Sequence, residues 1–280
     1  MERFIITVAC ADVPGIVHAV TEVLARLGGN IVESQQFTSP DSGTFFLRIE
    51  VDAPCDRDQL EAAMTPVKER FSMKLGLHRS ADKVRTLIMG SKDPRTLNEV
   101  LFDHHLGQLN IDVPLVASNH MDLKKHADFY GVDYEHVPIA KDTKAEAEAR
   151  LLELIEEHDI ELVVLARYMQ ILSDGLAEKL AGRAINIHHS FLPAFKGARP
   201  YHQAHSRGVK LIGATAHYVT ADLDEGPIIE QNVVRVDHTK SPDELIAIGR
   251  NVEGRTLAQA VRWHAEHRVL MDGTRTVVFS

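Results

Sequence analysis

Two stretches decide the fold of this chain: Leu162-Val163-Val164-Leu165-Ala166 and, shortly after, Ala184-Ile185-Asn186-Ile187-His188. The first is aliphatic throughout and shows no polar alternation. That is the pattern of a strand covered on both faces. The second is short and β-rich, and it reads as a neighbouring strand. Upstream, residues 84–89, 113–118 and 134–137 read as further strands, separated by helical spacing over 94–105, 123–130 and 143–158. Strands alternating with helices predict an α/β fold with a mostly parallel sheet and helices on both of its faces. Residues 212–220 and 228–236 read as a following β pair, and 242–266 as a last long helix.

The first third of the chain has a different rhythm. Residues 4–9 are β-rich, and Asp12-Val13-Pro14-Gly15 is a turn that opens a helix with Ile16, Val17, Val20, Val23, Leu24 and Leu27 at helical spacing. Gly28-Gly29 ends that helix. Residues 30–38 and 44–51 form a hairpin around Ser39-Pro40-Asp41-Ser42-Gly43; a helix over 56–71 and a strand over 73–78 follow. The order βαββαβ predicts a ferredoxin-like unit. The polar run Arg79-Ser80-Ala81-Asp82-Lys83 marks a linker. Two domains are therefore expected, 1–80 and 84–280.

Composition narrows the function classes. The chain has 280 residues, 44% hydrophobic and 25% charged, as a globular protein has. A net charge of -9 argues against partners such as nucleic acid or acidic membrane surfaces. Two cysteines, Cys10 and Cys55, are too few for a disulfide framework and fit a reducing, cytoplasmic setting. No basic-then-apolar leader and no membrane-length apolar run is expected.

The chemistry concentrates at 184–193. Asn186 and His188 are two residues apart, so a strand presents both on one face. An amide donor beside a titratable ring suits acyl chemistry: one holds an oxygen that becomes negative, the other moves a proton. Asp224, in Leu223-Asp224-Glu225-Gly226-Pro227, is the expected carboxylate partner, set to hold His188 and to take a proton from the nucleophile. His189 either assists or fills space. On spacing alone, Asn-x-His is also what a satisfied polar pair looks like, and Asp224 what a turn former looks like. The histidines His188, His189, His202, His205 and His217 leave a metal cluster open, but no His-Glu-x-x-His or Cys-x-x-Cys spacing supports one, and no metal is expected.

Asn186-Ile187-His188-His189-Ser190-Phe191-Leu192-Pro193-Ala194-Phe195-Lys196-Gly197 resembles the signature of folate-dependent formyl-group enzymes. Gly213-Ala214-Thr215-Ala216-His217-Tyr218-Val219, followed by Leu223-Asp224-Glu225-Gly226-Pro227-Ile228-Ile229, resembles their second signature. Ala166-Arg167-Tyr168-Met169-Gln170-Ile171-Leu172 is similar to the segment whose backbone meets the pterin ring. The resemblance spans most of 84–280 and implies a Rossmann-like formyltransferase domain. It makes Asn186, His188 and Asp224 the catalytic set, and Tyr168, Met169, Gln170, Ile171, Leu172 and Gly197 the substrate-binding set. Lys196 and Arg199 are placed near the carboxylates of the folate tail, or else form a solvated basic loop.

Among these enzymes the chain most resembles the formyltetrahydrofolate deformylases. His189 stands where transferases carry Pro. Met89-Gly90-Ser91-Lys92-Asp93-Pro94 lacks the Gly-rich loop that holds the phosphate of an amine substrate. Asp93-Pro94-Arg95 departs from the deformylase pattern too, which leaves the role of that loop open. Asp12-x-x-Gly15-Ile16-Val17 and Gly29-Asn30-Ile31 resemble an ACT domain. Asp12 and Asn30 are expected at neighbouring loop ends, so that Asp12, Gly15, Asn30 and Ile31 hold an amino-acid effector, with methionine and glycine the candidates the resemblance suggests. The alternative for Asp12 is a plain helix cap. The expected activity is hydrolysis of 10-formyltetrahydrofolate to tetrahydrofolate and formate, feeding purine synthesis and balancing the one-carbon pool, with no cofactor and a homodimer or homotetramer as the assembly. Formyl transfer to an amine and a non-catalytic amino-acid sensor are the alternatives.

Overall fold

The computed structural model describes residues 1–140, 142–192 and 200–280. Its contacts divide the chain into two compact units, Met1–Asp82 with Glu266–Ser280, and Lys83–Ala265.

The first unit has the βαββαβ order the sequence predicts. It runs β1 (Glu2–Ala11), α1 (Ile16–Arg26), β2 (Asn30–Thr38), β3 (Thr44–Ala53), α2 (Arg57–Arg70) and β4 (Lys74–Arg79). The sheet order is β2-β3-β1-β4, and every pairing is antiparallel. Alternate residues of the central strands, Phe4, Ile6 and Val8 on β1 with Leu47, Ile49 and Val51 on β3, are buried in one core with Ile16, Val20, Val23 and Leu24 of α1 and Leu60 and Met64 of α2. That core is the product of two matched periodicities, 2 in the strands and 3.6 in the helices. A capping box between Asp56 and Gln59 starts α2.

The second unit contains β5 (Val84–Gly90), α3 (Arg95–His105), β6 (Ile111–Ser118), α4 (Lys124–Tyr130), β7 (Asp133–His136), α5 (Lys144–Glu157) and β8 (Leu162–Leu165). It continues through α6 (Asp174–Lys179), β9 (Ala184–His188), α7 (Pro200–Ser206), β10 (Leu211–Tyr218), β11 (Ile228–Arg235) and α8 (Pro242–Ala265). Its seven strands lie in the order β11-β10-β9-β8-β5-β6-β7. Pairings from β7 to β9 are parallel, while β10 runs antiparallel to β9 and to β11. Chain order reverses between β5 and β8, and in such sheets the crevice beyond the carboxyl ends of the strands is where ligands bind. All four residues of β8 are buried, as the unbroken aliphatic run requires.

The last segment differs from expectation. The span 84–280 was expected to be one domain, yet 266–280 leaves the second unit and packs with the first, as the hairpin β12 (Val269–Asp272) and β13 (Arg275–Val278). The reason is electrostatic. Arg48 points to the sheet face opposite the helices and is fully buried there. It bonds to Glu33 at 2.7 Å, to Glu50 at 2.5 Å and to the Glu266 carbonyl at 2.9 Å. Arg268 adds contacts to Glu33 at 3.2 Å and Glu266 at 2.7 Å. His267 stacks on His78 with centroids 3.5 Å apart. A buried guanidinium must be paired, and the tail completes the pairing.

Candidate active site

The site forms where β9 ends beside β10. Asn186 and His188 share one face of β9, and the antiparallel register sets His217 opposite Asn186 and Thr215 opposite His188. Direct cross-strand partners have neighbouring side chains. The Asn186 side-chain nitrogen accordingly lies 3.3 Å from His217 Nε2. His217 Nδ1 faces the Tyr218 carbonyl at 2.8 Å and donates to it.

The loop between β10 and β11 returns Asp224 to these residues. Asp224 has φ 57°, a left-handed conformation that Asp tolerates better than most residues. Gly226 makes the return possible. A Cβ there would stand 1.7 Å from the Tyr218 carbonyl oxygen, so only Gly lets the loop press this closely on β10. Tyr218 N–H donates to Pro227 O at 2.9 Å and fixes the contact.

Asp224 Oδ1 is 3.1 Å from His188 Nδ1 and 3.8 Å from His217 Nε2. The His188 bond, then the His217 bond, hold the Asp224 carboxyl well below the usual carboxylate range, against the opposing effect of burial. A carboxylate so stabilised is a weak proton acceptor, so the expectation that Asp224 deprotonates the nucleophile is not what this geometry favours. Its evident capacity is to orient His188. The other nitrogen, His188 Nε2, is buried and has no hydrogen-bond partner among the described residues. Buried polar atoms are normally paired, and one left open beside a cavity points to a ligand.

That cavity measures about 610 Å³, the size of a small-ligand pocket. Asn186, His188, His189, His217 and Asp224 line it, together with Tyr168, Met169, Gln170, Ile171 and Leu172 and with residues 219–223. Met169 and Ile171 are 60% and 62% exposed and Leu223 is 59% exposed, so the cavity has an apolar rim. Ser91, at the end of β5, secures the 168–172 segment: its hydroxyl accepts from Met169 N–H at 3.1 Å and donates to Asn119 at 2.7 Å. Arg167, at φ 60°, pairs with the fully buried Glu253 of α8, and Tyr201 donates to the same carboxylate at 2.6 Å.

The structure thus brings together Asn186, His188, Asp224 and residues 168–172. Gly197, with Lys196 and Arg199, lies outside the described residues. His217 went unrecognised as part of the site, although the second signature contains it; only the β9–β10 register reveals its contacts. The unusual Asp93-Pro94-Arg95 loop ties α3 to α8, with Asp93 on Arg250 at 2.8 Å and Arg95 on Asn251 at 2.6 Å. Among the described residues no group of three His, Cys, Asp or Glu is placed to hold a metal ion, and no helix is long and apolar enough to cross a membrane.

The residues expected to hold an effector are not gathered together. Ala11 pairs with Thr44 and Asn30 with Asp52, so Asp12 and Asn30 lie at opposite ends of the first sheet. The eleven residues of α1 run between them, about 16 Å of helix. Gly15 belongs to the Asp12 end, and Ile31 to the Asn30 end, where Asn30 and Ile31 line a second, shallow pocket with His18, Thr21 and Glu22.

This parallel-sheet unit, with an Asn-His-Asp constellation at its strand ends and a βαββαβ unit before it, is that of a formyl-transfer enzyme carrying an ACT module. Residues 84–261 match the formyl transferase family model and residues 4–69 the ACT domain model. The formyltetrahydrofolate deformylase of Corynebacterium sp. (strain P-1) is 52% identical over 279 residues, covering 99% of this chain and 98% of its own. That of Bacillus subtilis (strain 168) is 46% identical, covering 98% and 92%. The crystal structure of formyltetrahydrofolate deformylase from Burkholderia mallei superposes with a TM-score of 0.96 at 48% identity over the whole of both chains. The chain belongs to the formyltetrahydrofolate deformylase family.

Proposed function

We propose that this protein hydrolyses 10-formyltetrahydrofolate to tetrahydrofolate and formate, and so supplies formate for purine synthesis. The observation that carries the reading is His188, bound through Nδ1 to Asp224 and open through Nε2 to a cavity that Asn186 also lines. Asn186 and the His188 imidazolium stabilise the oxyanion that forms when water attacks the formyl carbon. His188 Nε2 then protonates the departing nitrogen as the C–N bond breaks. Asp224 keeps His188 in the right tautomer, and His217 helps to hold Asn186 and Asp224. The backbone of residues 168–172 binds the pterin, and the apolar rim of Met169, Ile171 and Leu223 covers the aromatic part of the folate. Gly197 is a substrate contact in the same reading. No cofactor or metal takes part, so turnover persists in EDTA.

Labelled water tests the reading. Turnover in H₂¹⁸O without an amine puts one ¹⁸O into each formate released. Turnover only with an added amine, giving a formylated amine, would replace hydrolysis by transfer. No turnover, together with saturable amino-acid binding, would leave a sensor.

The ACT unit carries an amino-acid effector site in this proposal. With Asp12 and Gly15 at one end of α1 and Asn30 and Ile31 at the other, a site using all four takes one pair from each of two copies. β2 is an edge strand with exposed Ile31, Val32 and Phe37, a surface that a second copy would cover. A homodimer or homotetramer in the cytoplasm follows, a setting in which the two free thiols are at home. Light scattering with and without glycine or methionine tests the assembly.

A further inference from the structure

His189 has no task in the mechanism above, yet it faces the same cavity. Its ring stacks on His188 with centroids 4.9 Å apart and planes 23° from parallel. Two imidazoles in such contact do not both hold a charge, because like charges this close repel. Asp224 distinguishes the two rings, since its oxygen is bonded to His188. The titratable groups around His189 are His188, Arg167, Glu253 and Asp224. Burial, then His188 and Arg167, push its titration down to about 4, against the weaker pull of Glu253 and Asp224. One cavity therefore holds two adjacent imidazoles in different surroundings, His188 bonded to a carboxylate and His189 stacked against its face, and groups set apart in this way mark an acid and a base. Asp224 is too stabilised a carboxylate to be that base.

We propose that His189 is the base of the hydrolysis and His188 its acid. The inference rests on the hydrolase reading above. A ring nitrogen of His189 accepts a proton from water as the water oxygen bonds to the formyl carbon and the C=O electron pair moves to oxygen. When the intermediate collapses, the C–N bond breaks, its electron pair stays on nitrogen, and that nitrogen takes the proton of His188 Nε2. Formic acid leaves and gives its own proton to solvent. The proton on His189 passes through water to His188, and both rings return to their starting state.

The test compares wild type with His189→Ala and His189→Asn, measuring kcat for formate release, calorimetric Kd for tetrahydrofolate, and rescue by imidazole. The expected result is a kcat lower by about 10²- to 10⁴-fold in both variants with Kd unchanged. Added imidazole restores turnover to His189→Ala and not to Asn186→Ala. Wild-type kcat in either His189 variant overturns the assignment. So does a deficit that imidazole leaves untouched, or a loss of tetrahydrofolate binding in both variants, which makes His189 structural. Failure of the hydrolase reading itself shows separately, as wild type that releases no formate.

Discussion

His188 donates from Nδ1 to Asp224 Oδ1 across 3.1 Å, and this contact fixes what the other edge of the ring can do. With Nδ1 committed, Nε2 is the atom presented to the cavity. Asp224→Asn keeps the shape but lets the ring adopt the wrong tautomer. The expected outcome is a kcat lower by roughly 10³- to 10⁴-fold, with tetrahydrofolate binding retained, read by steady-state kinetics and calorimetry.

In the proposed mechanism Asn186 contributes an oxyanion donor. Asn186→Ala is expected to lower kcat about 10²- to 10³-fold, the usual cost of losing one such donor, without a change in the folding transition. A variant within tenfold of wild type would remove Asn186 from this role.

Ser91 acts at a distance from the reacting atoms. Its hydroxyl holds the Met169 amide at 3.1 Å, so Ser91→Ala loosens the segment proposed to bind the pterin. KM is expected to rise roughly three- to tenfold, the worth of one hydrogen bond, while kcat stays near wild type. An equal fall in kcat with no change in KM would contradict a purely positioning task.

Gly226→Ala places a methyl group 1.7 Å from the Tyr218 carbonyl oxygen, which no side-chain rotation relieves. The loop must lift, and Asp224 with it. Loss of activity is expected together with a destabilisation of about 1–3 kcal/mol, measured by denaturant titration. A fully active Gly226→Ala would show that the loop is not what seats Asp224.

Acid stability follows from His264 on α8, which meets the Tyr218 hydroxyl at 2.7 Å through Nδ1. Burial pushes its titration from 6.5 down to about 4. Above 6.5 the ring is neutral both folded and unfolded. Between 6.5 and about 4 only the unfolded chain binds the proton, so stability falls as pH falls through that window. Below it both states are protonated and this contribution stays constant. His264→Gln keeps a partner for Tyr218 and removes the titration. Its Tm is expected to depend less steeply on pH between 6.5 and 4, measured by calorimetry.

Most of this architecture was legible because each element carries its own period. Phe4, Ile6 and Val8 alternate on a strand, Ile16, Val20, Val23 and Leu24 recur on a helix, and Leu162 to Leu165 run unbroken through a buried strand. Asn186 and His188 could be paired because their contact follows from two-residue spacing on one strand. What escaped depends on register and long-range charge. His217 joins the site only because β10 runs antiparallel to β9 in one particular register. Asp12 and Asn30 were placed together by their motif, whereas the strand pairing puts the length of α1 between them. The closing hairpin was invisible for the same kind of reason: nothing near Glu266 in sequence announces that Arg48 will be buried and in need of its carbonyl.

The central claim is that Asp224, through His188, drives hydrolysis of a formyl group by water. The most direct test is formate release from 10-formyltetrahydrofolate by the purified protein without any amine acceptor, beside Asp224→Asn. Rapid release by wild type and near-silence from the variant is the predicted result. Equal release by both would contradict the account, because the chemistry would then proceed without the contact on which it is built.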